Sequence, residues 1–301
     1  MLHTRTTAGQ RRRALRERLA SGRLLRVPGA VNPLSAILIQ RKGFDAVYLS
    51  GAVLSADLGL PDIGLTTSAE IAGRAQQITR VTDLPALVDA DTGFGEPLNA
   101  ARTVQLMEDA GLAGLHLEDQ VNPKRCGHLE GKSVVSREAM VRRLRAAVDA
   151  RRDPDFLLMA RTDARAVEGL DAAIDRAKAY VDAGADAIFP EALMDEREFE
   201  AFRAAVDVPL LANMTEFGVG RLLDAATLEN LGYNIVIYPV TLLRLAMGAI
   251  EDGLSVLAAE GTQRTLLPRM QTRSRLYDLL DYADYTNFDS AVFDFDLPPG
   301  T

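Results

Sequence analysis

The sequence predicts an α/β fold, a closed (β/α)8 TIM barrel, on three observations. Eight short apolar runs recur along the 301 residues, amphipathic segments separate most of them, and nearly every run ends in polar side chains. The runs are LLRVPGA, DAVYLS, PALVDAD, AGLHLED, DFLLMARTD, DAIFPE, VPLLANMTE and YNIVIYPV. Between them lie helical patterns such as PLNAARTVQLMEDAG, SREAMVRRLRAAVDARRD and GLDAAIDRAKAYVDAG. Strict alternation of strand and helix implies parallel strands with crossover helices. Runs this continuously apolar suit strands covered on both faces. Gly111 and Gly184, each after an alanine, close a helix just before the next strand. An open doubly wound sheet is the alternative. Against it, no glycine-rich dinucleotide fingerprint follows the first run, and GFG at 93–95 is too short to indicate a nucleotide.

One barrel domain over 1–301 is expected, opened by a helix at about 8–20 and followed by a helical extension at about 262–301. In that extension TRSRLYDLLDYADY reads as a helix whose tyrosines and leucines suit a subunit interface.

Hydrophobic residues are 48% and charged residues 25% of the chain, an ordinary soluble composition. The formal net charge of −8 argues against nucleic acid as a partner, because such binders concentrate basic charge. No apolar run is long enough for a membrane helix. The opening MLHTRTTAGQRRRALRERLA is basic but lacks the apolar stretch of a secretory signal. A single cysteine excludes an internal disulfide, so a cytoplasmic location is expected.

In a barrel the chemistry lies at the C-terminal strand ends. There the sequence places Tyr48-Leu49-Ser50-Gly51, Asp89-Ala90-Asp91, His116-Leu117-Glu118-Asp119, Arg161-Thr162-Asp163, Glu191, Asn213-Met214-Thr215-Glu216 and Tyr238-Pro239. Any one of these reads equally well as a helix cap; together they point to a polar pocket over the barrel mouth. Asp89 and Asp91 lie two apart in extended chain and can face the same way. With Glu118 they form an oxygen-rich cluster whose mutual repulsion a hard cation would relieve. Such ligation favours Mg²⁺, with Mn²⁺ as an alternative; direct neutralisation by Arg161 is the other reading. Zinc does not fit, since His3, His116 and His128 are the only histidines and have no zinc spacing. Arg161, Arg244 and Arg273 offer forked guanidinium groups for carboxylates.

The one thiol, Cys126, sits in EDQVNPKRCGHLEGK between Lys124-Arg125 and Gly127-His128. Cations and an imidazole so close in sequence are a setting that lowers a thiol's pKa; the bland reading is a small buried hydrophobe. Metal, arginines and thiol together point to a small polycarboxylate or a phosphonate as substrate.

The motifs VDADTGFG, HLEDQ, KRCGH, MARTDA, FPE and LANMTEFG, in this order and spacing, resemble the 2-methylisocitrate lyases of the isocitrate lyase and phosphoenolpyruvate mutase superfamily. The resemblance runs from about Val27 to about Tyr282. It implies an Mg²⁺-dependent homotetramer whose last helix is exchanged between subunits, acting in the methylcitrate cycle of propionate catabolism. It implies metal binding by Asp89 and Asp91, with Glu118 acting through water, and a catalytic role for Cys126. Substrate-binding positions would be Ser50, Gly51, Ala52, Cys126, Gly127, Arg161, Glu191, Asn213, Met214, Thr215, Arg244 and Arg273. Asp62 matches a further acidic position of the family pocket. Ala52 stands where some relatives have glycine, and HLEGK replaces a different short segment in the lid.

The implied reaction splits 2-methylisocitrate into pyruvate and succinate. Asn213, Thr215 and Arg244, helped by His128, would stabilise the charge on the leaving fragment. Cys126, on a lid from about Val121 to Val134, would then protonate its carbanion. Tyr48 is the first candidate for the base, ahead of a metal-bound hydroxide or Glu191. Isocitrate lyase is the nearest alternative, although its members are usually longer. Oxaloacetate decarboxylase and phosphonopyruvate hydrolase share the fold but not the cysteine lid, and a non-catalytic dicarboxylate-binding barrel is the remote reading.

Overall fold

A computed structural model describes residues 4–128 and 131–293. The described residues divide into two compact units, one of Thr6–Arg244 and another that begins at Leu245 and includes Thr4 and Arg5.

The larger unit carries eight parallel strands: β1 (Leu25–Pro28), β2 (Val47–Leu49), β3 (Ala86–Asp89), β4 (Gly114–Glu118), β5 (Leu157–Thr162), β6 (Ala187–Pro190), β7 (Leu211–Asn213) and β8 (Ile235–Tyr238). Each falls within one of the apolar runs. Sequential strands β2 to β6 pair in order, and β1 pairs with β8, which pairs with β7. Parallel bridges Gly29–Tyr48 and Ile188–Leu210 join the two sheets. The ring is closed, which excludes the doubly wound sheet.

Side-chain parity builds the site. Val47, Leu49, Val88, Leu115, Leu117, Leu158, Ala160, Ile188, Ala212 and Val236 pack into the apolar layer that includes the helices. Their strand neighbours Val27, Leu87, Met159, Phe189, Leu211 and Ile237 form a second, interior cluster, joined by Leu15 and Leu19 of the N-terminal helix Ala8–Ala20. Because strand side chains alternate faces, the interior set continues at the carboxyl ends as Tyr48, Asp89, His116, Glu118, Arg161, Glu191 and Asn213. The residues that fill the barrel below and those that line its mouth therefore share one register.

Side chains cap the helices that follow: Thr7 with Gln10 and Thr67 with Glu70 form reciprocal capping boxes. Gly111 and Gly184 turn left-handed at φ 82° and 101°, as helix-closing glycines do.

The second unit holds most of the helix Thr241–Glu260, then Arg273–Leu279 and Tyr282–Phe293. The one helix expected over TRSRLYDLLDYADY is thus two, broken where Asp281 turns to φ 50°. Residues 294–301 of the expected extension lie outside the described residues. No described helix is long and apolar enough to cross a membrane.

Candidate active site

Two carboxylates meet at the start of the helix Gly51–Asp57. Asp91 turns left-handed at φ 46° and donates its own N–H to Asp89 Oδ1 at 3.0 Å. A Cβ on Gly51 would lie 3.1 Å from Asp89 Oδ2 and 3.3 Å from Asp91 Oδ1, so this close approach favours glycine. Burial, then the charge of Asp89, pushes the Asp91 carboxyl up to about 6. Burial opposes ionisation of Asp89 too, but His116, Lys124 and Arg161 outweigh it and hold that carboxyl below its usual range.

Lys124 fills the centre of this cluster. Its ammonium lies 2.9 Å from Asp91 Oδ1, pairs also with Asp62, and its side chain is only 3% exposed. Burial alone would lower its pKa; Asp91, Asp89, Glu118 and Asp62 outweigh that and raise it above the usual lysine range. Lys124 thus pairs with Asp91, while Arg161 faces Glu118.

Glu118 is fully buried, and among the described residues neither of its oxygens has a hydrogen-bond partner. Arg161 Nε stands 3.4 Å from one of them. Burial raises this carboxyl well above the usual range. Asp89 and Asp91, both close to Gly51, offer a hard pair of oxygen donors, with buried Glu118 on the neighbouring strand β4. Among the described residues no three His, Cys, Asp or Glu side chains converge to hold an ion alone. Mg²⁺ fits such a set, because it uses one or two carboxylates and retains water.

Arg161 forks onto Asp163 at 3.0 and 3.2 Å and reaches Glu191 at 3.2 Å, 5.0 Å above the Phe189 ring. Asp163 is placed in turn by buried Asp119, which accepts its N–H at 2.9 Å and the hydroxyls of Thr162 and Tyr180 at 2.8 Å. Glu191 also meets His128 Nε2 at 3.0 Å and the Asn213 amide at 3.3 Å. Despite burial, Arg161 and His128 bring its carboxyl down to about 2. His128 Nδ1 accepts the Val219 N–H at 3.3 Å, so Nε2 carries the proton toward Glu191.

Tyr48 and His116 stack, and the phenol lies 2.8 Å from His116 Nε2. Burial lowers the imidazole to about 4, leaving it neutral, and raises the Tyr48 phenol well above its usual range.

Cys126 corrects an expectation. Its thiol pKa is raised, not lowered: burial dominates, and only the His128 backbone N–H and Arg161 oppose it to any extent. Its sequence neighbours are occupied elsewhere. Lys124 is spent on Asp62 and Asp91, and Arg125 donates to the backbone carbonyls of Pro123 and Lys124. The turn after the thiol sits directly on the Arg161–Glu191 pair, since a Cβ on Gly127 would come within 2.5 Å of Arg161 Nη2 and of Glu191 Cγ. Leu129 and Glu130 of the expected lid lie outside the described residues.

Other expected residues fall less directly. Ser50 and Thr215 are buried and Ala52 is partly buried. Met214 packs into the apolar layer, its sulfur accepting the Leu223 N–H, so its side chain is a packing group. Arg244 pairs with Glu216 at 2.9 Å and lies over Phe217. Arg273 is exposed at the start of Arg273–Leu279 in the second unit. Lys124, Asp119 and Asp163 were read without these partners, and Gln120 was given no role; Lys124 pairs with Asp62 across 62 positions and Asp163 with Asp119 across 44.

A closed barrel whose mouth joins a carboxylate pair, an arginine among three carboxylates and a thiol-bearing loop defines an enzyme class built for small organic acids. The chain belongs to the phosphoenolpyruvate phosphomutase family, whose profile matches residues 15–258. It is 64% identical over 286 residues to a probable 2-methylisocitrate lyase 2 of Corynebacterium glutamicum, covering 95% of this chain and 93% of that one. It is 49% identical to the 2-methylisocitrate lyase of Escherichia coli, over 91% and 93% of the two chains. Among solved structures it resembles an oxaloacetate acetylhydrolase bound to 3,3-difluorooxalacetate, with TM-score 0.89, 34% identity and coverage of 97% and 99%. A 2,3-dimethylmalate lyase matches with TM-score 0.87 and 33% identity over 98% and 100%.

Proposed function

We propose that this lyase cleaves 2-methylisocitrate to pyruvate and succinate, with Cys126 as general acid. One observation carries the reading: a thiol kept protonated by burial precedes a turn seated on the Arg161–Glu191 pair. A general acid must hold its proton at neutral pH, and burial of this thiol favours the protonated form. The curated relatives at 49–64% identity support the substrate over the activities of solved structures at 33–34%.

Asp89 and Asp91, with Glu118 through water, would hold Mg²⁺, or Mn²⁺ in its place. Bound there, the ion would neutralise charge on the substrate's hydroxyl and adjacent carboxylate oxygens. Arg161, fixed by Asp163, would orient a substrate carboxylate with its fork. Tyr48 would take the hydroxyl proton while passing its own O–H proton to His116, whose Nε2 lies 2.8 Å away. Glu191, tied to Arg161, His128 and Asn213, would position them. As the C–C bond breaks, Asn213, Thr215 and an Arg244 released from Glu216 would face the charge growing on the succinate fragment. Cys126 would then give its proton to the new carbanion.

The same reading places the enzyme in the methylcitrate cycle as a homotetramer that exchanges its C-terminal helix. Exposed Leu245, Ile250, Leu254, Tyr285 and Phe288 support an apolar face of that kind. The test is product analysis with purified protein, Mg²⁺ and 2-methylisocitrate, with isocitrate alongside. Equimolar pyruvate and succinate, with little glyoxylate from isocitrate, is expected; release of glyoxylate at an equal rate would make it an isocitrate lyase. One methyl is worth only about 1–3 kcal/mol, so slow crossover is compatible with the proposal.

A further inference from the structure

Gln120, two residues beyond Glu118, is fully buried yet is not spent on the barrel. Its Oε1 accepts the Arg125 N–H at 2.8 Å, and its Nε2 donates to the Arg125 carbonyl at 2.9 Å. Both polar groups of one backbone unit are thus held by one side-chain amide, immediately before Cys126. The backbone of Gln120 holds the returning arm of the same loop. It bridges antiparallel to Val134, flanked by Val121 N–H to Ser133 O and Val135 N–H to Asp119 O, each 2.8 Å.

The residue before it fixes the opposite side of the site. Asp119 holds Asp163, and Asp163 forks Arg161. Two consecutive residues at the end of β4 therefore set the thiol-bearing arm and the Arg161 guanidinium against one common reference.

We propose that Gln120 is a positioning residue, whose amide registers Cys126 over the Arg161–Glu191 pair. This rests on the reading of Cys126 as the proton donor. A buried amide serving stability alone would change melting when removed, but not the exposure of one thiol or the balance of kcat and KM.

The test uses Gln120→Leu, which removes both hydrogen-bonding atoms at similar volume. Since the chain has one cysteine, iodoacetamide labelling of the native protein reports Cys126 alone. Labelling should accelerate on the order of 10-fold, and kcat should fall about 10–100-fold with KM within about 3-fold, as expected for a displaced reacting group. Unchanged labelling and kcat in a folded variant overturn the proposal. Should Gln120→Leu not fold, amide hydrogen exchange of the wild type decides: Arg125 should exchange far more slowly than Gly131, and equal rates overturn it. The two readings fail separately, because an active Cys126→Ser enzyme would remove the proton donor without altering labelling or exchange of the wild-type loop.

Discussion

Lys124 Nζ stands 2.9 Å from Asp91 Oδ1 with both side chains buried, so a cation supplied by the loop sits among the carboxylates proposed to hold a metal ion. Lys124→Met should leave Asp91 buried without its ion-pair partner. Loss of one member of a buried pair costs about 3–5 kcal/mol. Mg²⁺ should recover part of that loss, since a ligand that binds only the folded state stabilises it. Thermal melts with and without Mg²⁺ check this: the variant should melt lower and gain more from Mg²⁺ than the wild type. Equal gains would mean that Lys124 and the ion do not share the cluster.

The Cys126 thiol should behave as an acid, not as an activated nucleophile. Alkylation at neutral pH should be slower than that of a free cysteine. Its pH profile should inflect above the ordinary thiol value of about 8.5. An inflection below that value would restore the lowered pKa that Lys124, Arg125 and His128 suggest in the sequence.

Glu191 should shape stability in acid. Its native carboxyl titrates near 2 against an ordinary 4.5, so between these values the unfolded chain binds the extra proton. Stability from this group is therefore complete above about 4.5 and is lost as pH falls toward 2. In urea unfolding at stepped pH, Glu191→Gln should show a shallower acid decline than the wild type. An unchanged slope would mean that Arg161 and His128 do not hold the carboxylate ionised.

The sequence reveals what depends on periodicity and little of what depends on contact across the barrel. Eight strands were legible because both faces of each are buried, and the mouth residues because strand parity carries the interior register to the strand ends. Asp89 and Asp91 were legible because they are two apart. Lys124 was read as a neighbour of Cys126, and that failed: the ammonium crosses to Asp62, 62 positions away in the chain. Adjacency in an irregular loop gives no direction to a side chain. Arg161 and Asp163 are two apart, but the support of Asp163 by Asp119, and of Asp119 by Thr162 and Tyr180, joins residues 43 to 61 positions apart, with no local pattern to mark it. The break at Asp281 escaped because both halves keep helix-forming, partly apolar sequence.

Cys126→Ser tests the central claim most directly. Turnover of 2-methylisocitrate and Mg²⁺ affinity would be measured on the same folded sample. Loss of the general acid should lower kcat by about 10²–10⁴-fold while leaving Mg²⁺ affinity unchanged, because the thiol is not among the proposed ligands. Turnover within a few-fold of the wild type would contradict the assignment of the proton to Cys126.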